Sequence, residues 1–220
     1  MKRNMKDIAI YGAGGFGREV ACLINRINRS LPEKEWNIIG FFDDNPSLKA
    51  TKNEYGVVLG GIDELNTWTT QLSIIMAIGS PKIVEKIVSK IKNPLVDYPN
   101  LFAPDTIFLD KNNIAFGKGN LICSACLFSC NIHVGDFNTF NGYITVGHDT
   151  NIGNFNSFMP AVRVSGEVNI GERNFFGVSS VILQQITIGN DTVIGANSTV
   201  LRKTKDGNTY IGNPASIIKY

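Results

Sequence analysis

The pair formed by His148 and Asp149 is the part of the sequence best suited to proton transfer. An imidazole has an ordinary pKa of about 6.5, so it can accept a proton near neutral pH and act as a general base. A neighbouring carboxylate favours the protonated ring and so raises its basicity. The alternative is that His148 has no chemical role, because a histidine in a polar turn is more often an ordinary surface side chain. The other histidine, His133, has no acidic neighbour, and we expect it to be structural.

Three glycines, Gly12, Gly14 and Gly17, follow a short apolar run in the spacing G-x-G-x-x-G and precede helical spacing. A turn without side chains lets backbone N–H groups approach a phosphate, and the helix after it adds the positive end of its dipole. The alternative is a glycine turn that merely permits close packing, a known false positive of this pattern. The candidate binding residues of this turn are Gly14, Gly15 and Phe16.

Two further apolar runs, residues 38–42 and 74–78, end in Asp43-Asp44 and in Gly79. Such runs alternating with helical spacing predict a small parallel α/β sheet. Asp43 or Asp44 would then accept hydrogen bonds from a ribose or a base. An NAD-dependent dehydrogenase is the competing interpretation, but a dinucleotide site generally needs a second mononucleotide-binding half, and the chain after residue 100 does not supply one.

The second half of the chain repeats every six residues. Fifteen consecutive positions at this spacing are apolar, and glycine follows eight of them. The fifteen are Phe116, Ile122, Phe128, Val134, Phe140, Val146, Ile152, Phe158, Val164, Ile170, Phe176, Ile182, Ile188, Ile194 and Val200. One inward side chain and one turn per unit describe short strands wound around a triangular prism, with about 4.8 Å between coils of three units. We therefore predict about five coils of a parallel β-helix.

Net charge and hydropathy indicate the general class of the protein, and prolines mark the boundary between its two halves. The 220 residues include 21 basic and 19 acidic side chains, a net charge of +2 without the basic cluster of a nucleic-acid binder. No apolar run approaches the roughly 18 residues of a membrane span, and Met1 runs directly into charge, so we expect a cytoplasmic protein that binds neither nucleic acid nor membrane. Three prolines within residues 93–104 mark the connection between the halves.

Cys123, Cys126 and Cys130 lie close together in the sequence. Their offsets fall on successive positions of the repeat, and no histidine has a matching spacing, so we interpret them as thiols filling small positions and expect no metal. A parallel β-helix is also found in the γ-carbonic anhydrases, but these enzymes need three zinc-binding histidines and this chain has two.

Hexapeptides of this kind are typical of the left-handed hexapeptide acyltransferases. The whole chain resembles bacterial nucleotide-sugar acetyltransferases of the NeuD-like (sialic-acid O-acetyltransferase) and PglD-like type. The matching stretches are Tyr-Gly-Ala-Gly-Gly-Phe-Gly at 11–17, Phe-Asp-Asp at 42–44, Ala-Ile-Gly at 77–79, Gly-His-Asp at 147–149 and Gly-Asn-Pro-Ala at 212–215. The resemblance implies a Rossmann-like nucleotide-sugar-binding domain over residues 1–100. It also implies a left-handed β-helix acetyltransferase domain over residues 101–220, with a C-terminal tail that binds CoA.

The resemblance further implies a role for each site residue. His148 is the base and Asp149 tunes it, while the glycine turn, Asp43, Asp44 and Gly79 hold the nucleotide-sugar. Asn141 either contacts the sugar, orients the base or is simply an asparagine of a β-helix turn. The implied acetyl-CoA contacts are Ser157, Val178, Ala196, Gly212 and Pro214, with the Gly166 N–H facing the oxyanion. Some PglD-like members carry a second histidine where this chain has Ser157.

These expectations combine into an acetyl-CoA-dependent acetyltransferase. The acceptor is the amine or hydroxyl of a nucleotide-activated amino sugar, and the active sites lie between the β-helices of a homotrimer. Two alternatives stay open: a non-catalytic β-helix protein that binds a nucleotide-sugar, and an acetyltransferase for a free sugar or sialic acid. The residues specify neither the nucleotide base nor the choice between N- and O-acetylation.

Overall fold

The computed structural model describes residues 5–218. The N-terminal part is a mostly parallel sheet with helices between its strands. In chain order its main elements are β1 (Lys6–Tyr11), α1 (Gly15–Ser30), β2 (Trp36–Phe42), β3 (Lys52–Asn53), β4 (Gly56–Gly60), α2 (Ile62–Asn66), β5 (Leu72–Met76), α3 (Pro81–Lys90) and β6 (Val96–Asp97). The strand order is β3-β4-β2-β1-β5-β6, and β1 pairs in parallel with both β2 and β5. This confirms the predicted α/β sheet.

Helix α1 begins within the glycine turn, with Gly14 as its N-cap residue. Its buried side chains include Val20, Leu23, Ile24 and Ile27, which give the helical spacing after the glycine turn, and they join the core formed by β1 and β5. The antiparallel pair β3–β4 and the short helix α2 were not predicted, because neither carries a clear apolar period.

The C-terminal part is a three-sided β-helix of very short strands. They are β7 (Leu101–Phe102), β8 (Ile107–Phe108), β9 (Ile114–Phe116), β10 (Leu121–Ile122), β11 (Leu127–Phe128), β12 (Ile132–Val134), β13 (Thr139–Phe140), β14 (Thr145–Val146), β15 (Asn151–Ile152), β16 (Ser157–Phe158), β17 (Arg163–Val164), β18 (Asn169–Ile170), β19 (Phe175–Phe176), β20 (Val181–Ile182), β21 (Thr187–Ile188), β22 (Val193–Ile194), β23 (Thr199–Val200), β24 (Thr209–Ile211) and β25 (Ser216–Ile217).

Each side of the prism is one sheet. The first face is β7-β10-β13-β16-β19-β22-β24-β25, the second is β8-β11-β14-β17-β20-β23 and the third is β9-β12-β15-β18-β21. Residues 18 apart are parallel partners, as in Thr139↔Ser157 and Asn151↔Asn169. The predicted inward residues fill the core, and the rings of Phe158 and Phe176 stack at 4.5 Å. Three six-residue units therefore form each coil, as predicted.

The β-helix begins two strands before the first position of the six-residue repeat. Phe102 and Phe108, on β7 and β8, pack against the same core ahead of Phe116. The six-residue spacing is unbroken only from Phe116 onward, because a turn at Lys111–Asn113 lengthens the preceding unit. The interval between Phe108 and Phe116 thus hides the first two strands from a strict six-residue count.

Buried asparagines tie the coils together at the edge between the third and first faces. Asn120, Asn138, Asn156 and Asn174 are fully buried, and each side-chain Oδ1 accepts a hydrogen bond from the backbone N–H 18 residues later. Since buried polar groups need hydrogen-bond partners, these bonds to the side-chain oxygens explain why asparagine recurs at a spacing of 18. Within residues 5–218, only the Nδ2 of Asn174, the last of these four asparagines, lacks a partner among the four.

The first face packs against the N-terminal sheet. Leu101 and Leu121 point out of the prism into the core beneath α1 and β1. Near the other end, Arg173 of the β-helix lies 3.1 Å from Glu85 of α3, and Lys82 lies 3.6 Å from Asp191. The proposed division at residues 100 and 101 falls between β6, the last strand of the first sheet, and β7.

Candidate active site

His148 lies on the edge between the second and third faces, in the turn that joins β14 to β15. Its Nδ1 is 2.7 Å from Oδ2 of Asp149, and about half of each side chain is exposed, 53% and 48%. Asp149 has a φ of 57°, one of a series of left-handed residues that turn the chain at each edge. A carboxylate accepting the Nδ1 proton leaves Nε2 as the basic nitrogen, the arrangement of a general base and its orienting acid.

A third residue completes this arrangement and was missed by sequence reasoning. The Asn131 side-chain amide donates to Oδ1 of Asp149 at 2.5 Å, from one coil before it. The hydrogen bonds from Asn131 and then from His148 hold the pKa of the Asp149 carboxyl below its usual value. The signal was present in the sequence, because 149 minus 18 is 131 and residues 18 apart are stacked.

The imidazole of His148 rests on Gly166, one coil further along. A Cβ atom placed on Gly166 would lie 2.5 Å from His148 Nε2 and 2.7 Å from Cε1, so the ring occupies the space that a side chain would need. Among residues 5–218, no hydrogen bond from the Gly166 N–H is found. An unpaired N–H beside the basic nitrogen has the character of an oxyanion donor.

The glycine turn divides into structural and open positions. Gly12 has a φ of 112°, and a Cβ on Gly17 would lie 1.9 Å from the Gly12 carbonyl oxygen, so these two glycines are required by packing. Gly14 is different, because nothing lies within 4 Å of a Cβ placed there, and Gly15 meets only the tip of Arg18 at 3.9 Å. The packing interpretation therefore accounts for the first and last glycines and leaves the middle of the turn free to face a ligand.

Asp43 and Asp44 shape the turn from the end of β2. Asp43 accepts hydrogen bonds from the Ala13 and Asn45 N–H groups, both at 2.9 Å. Asp44 accepts from the Tyr11 hydroxyl at 2.6 Å and from the Ile62 N–H at 3.0 Å. Burial and then the Asp44 carboxylate raise the pKa of Tyr11 well above its usual value. Both acids are thus already hydrogen-bonded within the protein, each with lone pairs left for a ligand.

Asp43 and Asp44 line a cleft of about 420 Å³. Two more clefts adjoin the glycine turn and Gly79. One, of about 640 Å³, runs along α1 from Gly15 past Arg18 to Tyr55. The other, of about 410 Å³, has Gly79 at the start of α3 on one side and Phe175 of the β-helix on the other. The structure therefore places Gly79 at the junction of the two parts of the chain, and Phe16 at the start of α1.

We expect the two kinds of glycine to respond differently to alanine. Gly17→Ala forces a Cβ into a carbonyl oxygen, so it should lower the free energy of unfolding by about 1–3 kcal/mol. Gly14→Ala should leave the melting temperature unchanged and weaken binding of a nucleoside diphosphate, measured by calorimetry with UDP and GDP. A Gly14→Ala protein that binds both as tightly as wild type would remove Gly14 from the site.

Asn141 lies on the edge between the first and second faces, beside a cleft of about 340 Å³ between α1 and the β-helix. Arg26 of α1 closes this cleft, since it donates to Ser124 Oγ at 2.6 Å and pairs with Asp105 at 3.0 Å. Asn141 is therefore on the α1 side of the β-helix and on a different edge from His148.

The predicted acetyl-CoA contacts fall into two groups. Val178, Ala196 and Gly212 stack along the edge that carries Asn141: the Asn197 N–H donates to the Val178 carbonyl, and Gly212 hydrogen-bonds to Ser198 and Thr199 of the preceding coil. Val178, Ala196 and Pro214 are exposed. Ser157 is not with them: it lies on the first face and is only 2% exposed. The N-terminal sheet covers that face, which the repeat alone could not indicate.

The cysteines lie among apolar neighbours. Burial raises the pKa of Cys123 to about 12 and that of Cys126 to about 11, so both thiols stay protonated. Within residues 5–218 no three side chains of the metal-binding types come together. In the same range, no helix combines the length and apolar character that a bilayer crossing needs.

Known families match both parts of the chain. Residues 7–91 match the PglD N-terminal domain, and residues 167–202 match the bacterial transferase hexapeptide (six repeats). No curated protein matches the sequence.

Solved structures match over nearly the whole chain. The acetyltransferase domain of PglB from Neisseria gonorrhoeae FA1090 is 26% identical, with a TM-score of 0.86 over 97% of this chain and 100% of that one. WeeI from Acinetobacter baumannii AYE is 29% identical, with a TM-score of 0.85 over 98% and 100%. PerB from Caulobacter crescentus, in complex with CoA and GDP-perosamine, is 25% identical, with a TM-score of 0.84 over 98% and 99%.

Proposed function

Since this chain is an acyltransferase of the left-handed β-helix kind and carries a PglD N-terminal domain, we propose that it acetylates a nucleotide-activated amino sugar. Acetyl-CoA is the donor, and the amine or hydroxyl of the sugar is the acceptor. Two similar proteins support these substrates: the PglB domain has been crystallised with acetyl-CoA, and PerB with CoA and GDP-perosamine.

The observation that carries the proposal is the exposed dyad of His148 and Asp149, with its 2.7 Å contact through Nδ1. In the proposed reaction, Nε2 takes a proton from the acceptor nitrogen or oxygen as that atom attacks the thioester carbonyl carbon. The carbonyl oxygen becomes an oxyanion, which the Gly166 N–H stabilises. When the intermediate collapses, the carbon–sulfur bond breaks and His148 returns the proton to the CoA sulfur. No acyl-enzyme is required.

Binding of the nucleotide-sugar is assigned to the N-terminal sheet. Backbone N–H groups of Gly14 and Gly15 at the start of α1 suit the diphosphate, because the positive end of the helix dipole adds to their hydrogen bonds. Phe16, Asp43, Asp44 and Gly79 are assigned to the same ligand, and Asn141 is assigned to its sugar end on the β-helix. Acetyl-CoA is assigned to Val178, Ala196, Gly212 and Pro214. Ser157 keeps only an indirect part in this proposal because it is buried.

We also propose that the active protein is a homotrimer. The second face and its edges expose Ile107, Leu109, Tyr143, Leu183 and Leu201, between 41% and 65% each, an apolar surface typical of subunit contacts. This face separates the edge with His148 from the edge with Val178, so packing it against a neighbour would bring one edge of each kind together. Sedimentation should give about three times the chain mass of 24.1 kDa; a monomer would contradict this assembly.

A cytoplasmic location is proposed from cysteine chemistry. Cys22, Cys123, Cys126 and Cys130 are all free thiols. Free thiols persist in a reducing compartment, whereas oxidising compartments favour disulfides.

The decisive experiment supplies the purified protein with acetyl-CoA and a panel of UDP-, dTDP- and GDP-linked 4-amino sugars, and measures CoA release. We expect one nucleotide class both to stabilise the protein against heating and to accept acetyl. Mild alkali then distinguishes an O-acetylated from an N-acetylated product, because an ester hydrolyses and an amide survives. If the protein binds a nucleotide but does not bind acetyl-CoA, it is a non-catalytic binding protein. If it transfers acetyl to a free amino sugar and no nucleotide stabilises it, it is an acetyltransferase for a free sugar.

A further inference from the structure

Both oxygens of the Asp149 carboxylate are engaged, each by a different neighbour. Oδ2 contacts His148 Nδ1 at 2.7 Å, and Oδ1 accepts the Asn131 amide at 2.5 Å. The backbone reinforces this register, since the Asp149 N–H donates to the carbonyl of Cys130 at 3.1 Å. The orientation of the carboxylate is therefore set from the preceding coil.

An exposed carboxylate without such a bond would rotate about its side-chain torsions, and fixing it costs conformational entropy. Asp149 is half exposed, so the surrounding protein does little to confine it. The Asn131 amide supplies the missing restraint, and as a neutral donor to a charged acceptor it makes a stronger bond than one between two neutral groups. Asn131 itself has a φ of 53°, a left-handed conformation that asparagine adopts more readily than most residues.

Other side-chain hydrogen bonds join residues 18 apart at places where there is no catalytic group. Asn151 donates to Asn169 at 3.1 Å on the third face, and Gln185 donates to Glu167 at 3.0 Å on the edge below His148. These bonds link coils and touch no histidine. A purely structural role for Asn131 is therefore the alternative that an experiment must exclude.

We propose that Asn131 is a positioning residue, which holds the Asp149 carboxylate so that its other oxygen keeps the His148 proton on Nδ1 and leaves Nε2 free to act as the base. This inference rests on the proposed acetyl transfer, but the state of the His148 ring can be measured without any substrate.

The first variant is Asn131→Asp, which keeps the side-chain shape and tolerates the left-handed backbone but has no amide to donate. The second is Asn131→Gly, which removes the side chain without backbone strain. We expect each to lower kcat by about tenfold, the scale of a small misplacement of a catalytic group, with both KM values within about twofold of wild type.

The ring itself is observed by nitrogen-15 NMR after labelling histidine, and the chain has only two histidines to assign. In wild type, His148 should show a protonated Nδ1 and an unprotonated Nε2, and in both variants this tautomer should lose population. Asn151→Asp is the matched control: it breaks a bond of the same spacing and adds the same charge two residues from Asp149. It should leave kcat and the His148 signals unchanged.

Unchanged His148 signals in both Asn131 variants would overturn the inference, whatever the rates. Asn131 would then have no effect on the protonation of the His148 ring. Unchanged kcat in both variants would overturn its part in catalysis. If wild type transferred acetyl to no acceptor, the proposed function would fail, and the NMR comparison would still decide whether Asn131 orients the dyad.

Discussion

Replacing His148 by alanine should lower kcat for acetyl transfer by about 10²–10⁴-fold, the usual contribution of a positioned general base. The physical reason is that the attacking amine or hydroxyl must lose a proton as its bond to the thioester carbon forms. Asp149 is engaged with Asn131 on its other oxygen, and so cannot replace the imidazole without losing its own alignment. KM for acetyl-CoA should change little, because the predicted contacts Val178, Ala196 and Gly212 lie on the other edge of the second face and are not altered by the substitution.

The chain offers a matched control in its other histidine. His133 lies on β12 of the third face with its side chain exposed, and its backbone pairs with Asn151 of the next coil. His133→Ala should therefore retain wild-type kcat, measured as CoA release under the same conditions. A His148→Ala rate within about threefold of wild type would remove this residue from the role of base, because a general base contributes at least about a hundredfold.

The repetitive half of the fold was predictable because stacking demands a strict period. Once each coil is three six-residue units, every residue's neighbours above and below are 18 positions away, and the inward stack of Phe140, Phe158 and Phe176 results. The strands that end at Phe102 and Phe108 fell outside the six-residue count, because one turn of different length interrupts it before Phe116. A repeat is thus informative only as far as it is uninterrupted.

The site was predictable in part for a related reason. His148 and Asp149 are adjacent in the sequence itself, whereas Asn131 and Gly166 become their neighbours only because successive coils stack. Burial of Ser157 required yet another level, since it depends on which face the N-terminal sheet covers. Contacts between sequence neighbours, contacts through the repeat and contacts between domains are progressively harder to predict.

Alanine at Gly166 should damage activity without damaging the fold. Its Cβ would lie 2.5 Å from His148 Nε2, closer than two non-bonded heavy atoms can approach, and the backbone of Gly166 is not in the left-handed region. The nearest atoms belong to a side chain that can swing aside, so the fold should survive and the base should move. A displacement of about 1 Å can cost about 100-fold, and we expect a loss of kcat on that scale with an unchanged melting temperature.

Gly147→Ala provides the contrast, because its Cβ would meet the backbone nitrogen of Gly166 and the carbonyl carbon of Ser165, both at 2.5 Å. Backbone cannot swing aside, so this variant should lose stability as well as activity. A double-mutant cycle then identifies the route by which Gly166 acts. If the methyl group works by displacing the imidazole, adding Gly166→Ala to His148→Ala should cost nothing further. An equal loss in both backgrounds would show instead that the added methyl group acts independently of the base.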